Sequence, residues 1–147
     1  MPVLETKLFG RVEVAGDAYV QRETTVGARS MQRSLYVGDL AQPALDQAAT
    51  LIDTADALDA RAREAIRAYD GDVVTDFIAF HNDELGLGLS ATDFHARLDL
   101  VGINIHPREP DGFSIVFDYS LGRSVSDQLL AVRLDARGTV AAVSHES

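Results

Sequence analysis

The chain has 147 residues, with 23 Asp or Glu against 13 Lys or Arg, a formal charge of −10, and no cysteine. The lack of thiols excludes disulfides, thiolate metal sites and cysteine nucleophiles. The acidic balance disfavours phosphate backbones and anionic membranes, which are bound through Lys and Arg, so neither nucleic acid nor membrane is an expected partner.

A chain of this length suits one domain spanning 1–147, with a folded surface of roughly 7,400 Å². Its charge is unevenly placed: Met1 to Gly38 carries +1, Asp39 to Glu84 carries −8 and Leu85 to Ser147 carries −3. No segment approaches a membrane span, and the opening residues lack the apolar run of a secretory signal. A cytoplasmic location is the expectation.

The first third reads as three strands. Lys7 to Val14 mixes apolar and polar positions, Gly16-Asp17 supplies a turn, Tyr19 to Val26 is rich in Thr, Val and Tyr, and Ser30 to Val37 follows the break at Gly27. The middle reads as helix. Pro43 fits a first helical position, and Ala44, Ala48, Leu51, Ala55, Leu58, Ala62, Ala65 and Tyr69 recur at spacings of three and four, predicting one helix from Ala44 to Tyr69. Asp70-Gly71-Asp72 interrupts it, and Val74, Phe77, Ile78, His81 and Leu85 predict a second helix from Val73 to Leu85.

Gly86-Leu-Gly-Leu-Ser90 lacks the lysine and the preceding strand of a phosphate loop, so it reads as a helix stop and flexible connection. Strand periodicity returns over Ala96–His106, where Val101, Ile103 and Ile105 alternate. A loop follows over Pro107–Gly112, then strands over Phe113–Tyr119, Asp127–Asp135 and Thr139–His145. The fold class that results is α+β, an antiparallel sheet of a three-stranded and then a four-stranded meander packed against two central helices.

Phe117-Asp-Tyr119, Asp127 to Asp135, Gly138-Thr-Val140 and Glu146-Ser147 together resemble an uncharacterised bacterial family, domain of unknown function number two thousand and four. The likeness runs from Val73 to the end. It implies a fold shared with that family and carries over no activity, cofactor or site.

Candidate chemistry is sparse. His81 and Glu84 have the spacing of a helical ligand pair, which His95 or His106 would have to complete; a structural role for His81 near the helix end is the simpler reading. The hydrolase motif Gly-x-Ser-x-Gly is absent, and Ser120, Ser124 and Ser126 read as turn residues. Asp118 and Asp127 flank one hairpin turn and form, with Tyr119 and His81, the polar cluster worth testing; turn capping is the expected use of the two aspartates. No catalytic, metal or cofactor-binding set is predicted.

The leading functional expectation is a noncatalytic, acidic interaction protein of the immunity type, docking Asp53, Asp56 and Asp59 on a basic protein partner. The alternative is a small-molecule binder or enzyme with a pocket between helices and sheet near His81, His95 and Asp118. Open sheet edges offer a homo-oligomer as a third expectation.

Overall fold

Phe113, Ile115, Phe117 and Tyr119 occupy alternate positions of one strand, and all four are buried against helices. In the computed structural model, which describes residues 1–108 and 112–147, they form the centre of a mixed six-stranded sheet. A separate two-stranded sheet and four helices complete, among the described residues, an α+β architecture with a surface of 7,501 Å². Among the described residues, no helix is long and apolar enough to cross a membrane.

The strand predicted over Lys7–Val14 is instead a hairpin, β1 (Val3–Thr6) and β2 (Gly10–Glu13). Thr6 Oγ1 accepts the Phe9 amide at 3.0 Å, and Gly10 adopts φ +69°, a left-handed value that closes the turn at little steric cost. This hairpin does not join a meander. The Gln42 side chain binds both the N–H and the C=O of Val3, at 2.8 and 2.7 Å, so β1 is tied to the helical layer.

β3 (Ala18–Val26) and β4 (Arg29–Val37) pair antiparallel, close to the predicted bounds. From β4 the chain crosses over through every helix and returns as β5 (Asp99–Arg108), parallel to β4, with Ser34 opposite Gly102 and Tyr36 opposite Asn104. β6 (Gly112–Ser120), β7 (Leu129–Leu134) and β8 (Val140–Glu146) continue antiparallel in sequence order. The expected four-stranded meander is therefore present, but the expectation of a wholly antiparallel sheet is corrected: the helical crossover brings β5 back in the direction of β4. Residues 109–111 of the predicted loop lie outside the described residues, while Pro107 and Arg108 extend β5.

The single helix predicted over Ala44–Tyr69 is two, α1 (Gln42–Ile52) and α2 (Ala55–Arg67). The Thr54 hydroxyl donates to Leu51 O at 2.7 Å and the Asp53 carboxylate accepts the Lys7 amide at 2.8 Å, so both side chains bond backbone where the helix breaks. α3 (Asp72–Asp83) follows, burying Val74, Phe77 and His81. A fourth helix, α4 (Ala91–Arg97), occupies part of the region assigned to connection and strand, its Ser90 cap accepting the Asp93 amide at 3.1 Å. The expected flexible connection is pinned, since the Asn82 side chain bonds both N and O of Leu89, at 2.7 and 2.9 Å.

A bulge at Val101 shifts the β5–β6 register: Leu100 faces Tyr119 and Gly102 faces Asp118. Leu100, Ile103 and Ile105 therefore share the helix-facing side, and Val101 falls out of the predicted alternation. All four helices lie on that side. Among the described residues, no helix covers the opposite face of the sheet, which carries open cavities.

Candidate functional site

β6 sends neighbouring residues to opposite faces, and this divides the predicted polar cluster. Tyr119 points into the helical layer, where its hydroxyl donates to Asp59 Oδ1 at 2.6 Å. Asp118 points to the open face and accepts a hydrogen bond from Asn104 Nδ2 at 2.8 Å. The expectation that Asp118, Tyr119, Asp127 and His81 converge is thus corrected, as is a shared pocket for His81, His95 and Asp118 between helices and sheet.

On the helix side, the Asp59 carboxylate takes both Arg63 Nε contacts at 3.1 Å as well as the Tyr119 hydroxyl. Arg63 also donates to Leu98 O at 2.7 Å, and its guanidinium carbon lies 5.2 Å from the Tyr119 ring centroid. Burial, and then the neighbouring Asp59 carboxylate, raise the Tyr119 pKa far above the phenol range, so this hydroxyl is a fixed donor. Beside it Arg33 is 2% exposed and donates to the Leu100 and Thr24 carbonyls at 2.6 and 2.7 Å and to Thr24 Oγ1 at 3.0 Å. Burial lowers the Arg33 pKa, opposed by the charges of Asp59 and Asp99. One guanidinium so ties β3, β4 and β5 together. Nearby, Arg29 forms an ion pair with Asp99 Oδ1, a buried oxygen that accepts no hydrogen bond among the described residues.

His81 is fully buried. Its Nδ1 lies 2.8 Å from Phe77 O, a pure acceptor, so Nδ1 carries the proton and Nε2 accepts from Ser126 Oγ at 2.7 Å. Ser126 Oγ also accepts the Gln128 amide at 3.2 Å, and Ser120 Oγ accepts the Gly122 amide at 2.9 Å. These serines, rather than Asp118 and Asp127, cap the β6–β7 turn, and the imidazole anchors it from below. Glu84 is exposed, His95 lies on α4 against Phe94 with a pKa lowered chiefly by burial, and His106 is on the open face beside Tyr36. Among the described residues, no three His, Asp or Glu side chains gather as a metal site.

The open face carries three adjoining cavities of about 450, 340 and 330 Å³. Asp118 and Leu129 line both the first and the second; Ser34, Val101 and Arg123 line both the second and the third. Asp118 and Asp127 share the central cavity, so the hairpin does bring this pair to one space. Burial raises the Asp118 pKa, Glu146 adds to the rise, and the Asn104 hydrogen bond and His106 oppose it. Ser34, Gly102 and Asn104 were missed from sequence, although their alternate positions with Leu35, Ile103 and Ile105 are the signal that places them here.

The three aspartates singled out for docking are each in use. Asp53 Oδ1 accepts the Lys7 amide and Asp56 Oδ1 the Gly27 amide, both at 2.8 Å, while Asp59 is buried and paired with Arg63. Asp59 therefore leaves the outward face. The charge of the layer remains: of the eleven carboxylates from Asp39 to Glu84, Asp59 alone is buried and ten are exposed. Among the described residues, Glu64, 3.6 Å from Arg67, is the only one of those ten with a cation in ion-pair range. Asp72, Asp76 and Asp83 form one stripe on α3, opposite buried Val74, Phe77 and His81.

No family model matches the chain, and no curated protein or solved structure matches it.

Proposed function

We propose that the chain is a noncatalytic interaction protein that docks its acidic helical layer on a basic protein partner, as immunity proteins do by analogy. The supporting observation is the exposure of ten of the eleven carboxylates between Asp39 and Glu84 on or beside α1–α3. Such a predominantly negative surface, with Arg61 and Arg67 also exposed on it, raises the encounter rate with a cationic partner and repels anionic ones. Within this reading the contact centres on the Asp72, Asp76 and Asp83 stripe rather than on the buried Asp59. The resemblance to domain of unknown function number two thousand and four belongs to the same proposal and adds no chemistry to it.

The test is affinity capture from native lysate at low and high salt, using wild type and the triple variant Asp72→Lys, Asp76→Lys, Asp83→Lys. A basic partner that binds wild type, dissociates with salt and ignores the variant supports the reading. Capture indifferent to salt and to the reversal would remove it.

A further inference from the structure

We propose that the cavity over Gly102 binds a small zwitterionic molecule, its protonated amine held by Asp118 and its anionic group by Arg123. The site lies on the open face of the sheet, away from the acidic helical layer, so it stands or falls separately from the docking function.

The first observation is the space itself. Gly102 has no positive φ to explain it, yet a Cβ there would lie 2.8 Å from Ser34 Oγ and 3.7 Å from Asp118 Oδ2. Its missing side chain opens a notch between β4 and β6 where the Asp118 carboxylate projects. Any larger residue would fill the place a ligand needs.

Unspent bonding capacity is the second. Asp118 is half-buried, and among the described residues it accepts one hydrogen bond, from Asn104 to Oδ2. A carboxylate has about four acceptor sites, so most of them are unused among the described residues. An ammonium group supplies up to three donors and the opposite charge, and a charge-assisted bond of that kind is stronger than a neutral one.

The composition of the walls narrows the ligand further. The same cavity of about 340 Å³ has a second carboxylate, Asp127, and one cation, Arg123, which forms no ion pair among the described residues. Val101 and Leu129 give it apolar wall for a short carbon chain. Carboxylates, a guanidinium and apolar side chains in one lining match a small amino acid better than a simple amine or a simple acid.

The experiment uses the full ¹⁵N-labelled chain and three probes: β-alanine, propylamine and propionate. We expect β-alanine to shift the amides of Gly102, Asp118 and the 122–127 segment saturably, propylamine to do so more weakly and propionate weakest of all. Asp118→Asn should weaken β-alanine and propylamine binding roughly tenfold or more. Arg123→Gln should bring β-alanine down to the level of propylamine and leave propylamine unchanged. Gly102→Val should abolish all three, and an unchanged spectrum elsewhere shows that each variant is folded. Absent saturable shifts, shifts centred outside this cavity, wild-type affinity in Asp118→Asn, or propionate binding as well as propylamine would each overturn the proposal.

Discussion

The Tyr119 hydroxyl crosses from β6 to the Asp59 carboxylate on α2, 2.6 Å away, and Arg63 closes on that same carboxylate from one helical turn further on. Helix and sheet are joined at this point by a charge held in a shell of donors, beneath the layer that carries the acidic surface.

Removing the hydroxyl should cost less than removing the carboxylate. Tyr119→Phe deletes one bond to a charged acceptor, for a loss of about 1.5–3 kcal/mol, and leaves Arg63 in place. Asp59→Ala leaves Arg63 and the buried phenol unanswered and should cost about 3 kcal/mol or more. Urea unfolding of both variants and of the double variant checks the order and gives the coupling.

The β6–β7 turn depends on a buried imidazole. Ser126→Ala leaves His81 Nε2 without its donor and the Gln128 amide without its acceptor, a loss of about 1–3 kcal/mol. Hydrogen exchange should rise over residues 121–128 and stay unchanged in β3 and β4. Uniform exchange across the sheet would mean that His81 does not hold the turn.

Two aspartates give opposite pH slopes. Asp118, whose pKa is raised by burial, binds its proton more tightly folded than unfolded. Its contribution to stability therefore falls as pH rises from the ordinary value of 3.8 through the raised one. Asp135, lowered by the Thr139 and Arg137 amides, contributes stability that is present above 3.8 and lost as pH falls through its depressed value. Asp118→Asn should match or exceed wild-type stability at neutral pH and flatten the slope above 3.8, and Asp135→Asn should flatten the slope below it. Denaturation across the pH range reads both.

Self-repulsion in the helical layer should respond to salt. The melting temperature should rise between low and physiological ionic strength as the exposed carboxylates are screened. Asp76→Lys should raise low-salt stability by up to about 0.5 kcal/mol and reduce the salt response. A melting temperature independent of salt in wild type would show that the carboxylates are too far apart to interact.

Much of the fold was legible because periodicity reports which side of an element is buried. Phe113 to Tyr119 and Leu130 to Leu134 alternate as read, and Arg33 shares strand parity with Leu35 and Val37, which marks it as an inward charge. The helix break at Asp53-Thr54 was hidden because both residues continue a helical pattern until their side chains find backbone partners, one of them Lys7 in the turn between β1 and β2. Helix α4 was announced by Ser90 and Asp93 at cap spacing, a signal overshadowed by the glycines before it. The candidate cavity was half legible: Asp118 and Asp127 flank one hairpin, but Ser34 lies far away in sequence and Gly102 gives no sign of what it leaves open.

The amino-acid order by itself determined the strand and helix faces, the α+β class, the thiol-free chemistry and the concentration of negative charge between Asp39 and Glu84, since each follows from local spacing and composition. Tertiary structure alone decided that β5 runs parallel to β4, that Asp59 is enclosed while Asp76 is not, and that Asp118 and Tyr119 serve opposite faces of the sheet. Those outcomes depend on which distant backbone or side-chain group meets each residue, and pairing across the sheet is set by the whole chain's packing rather than by any segment's own preference.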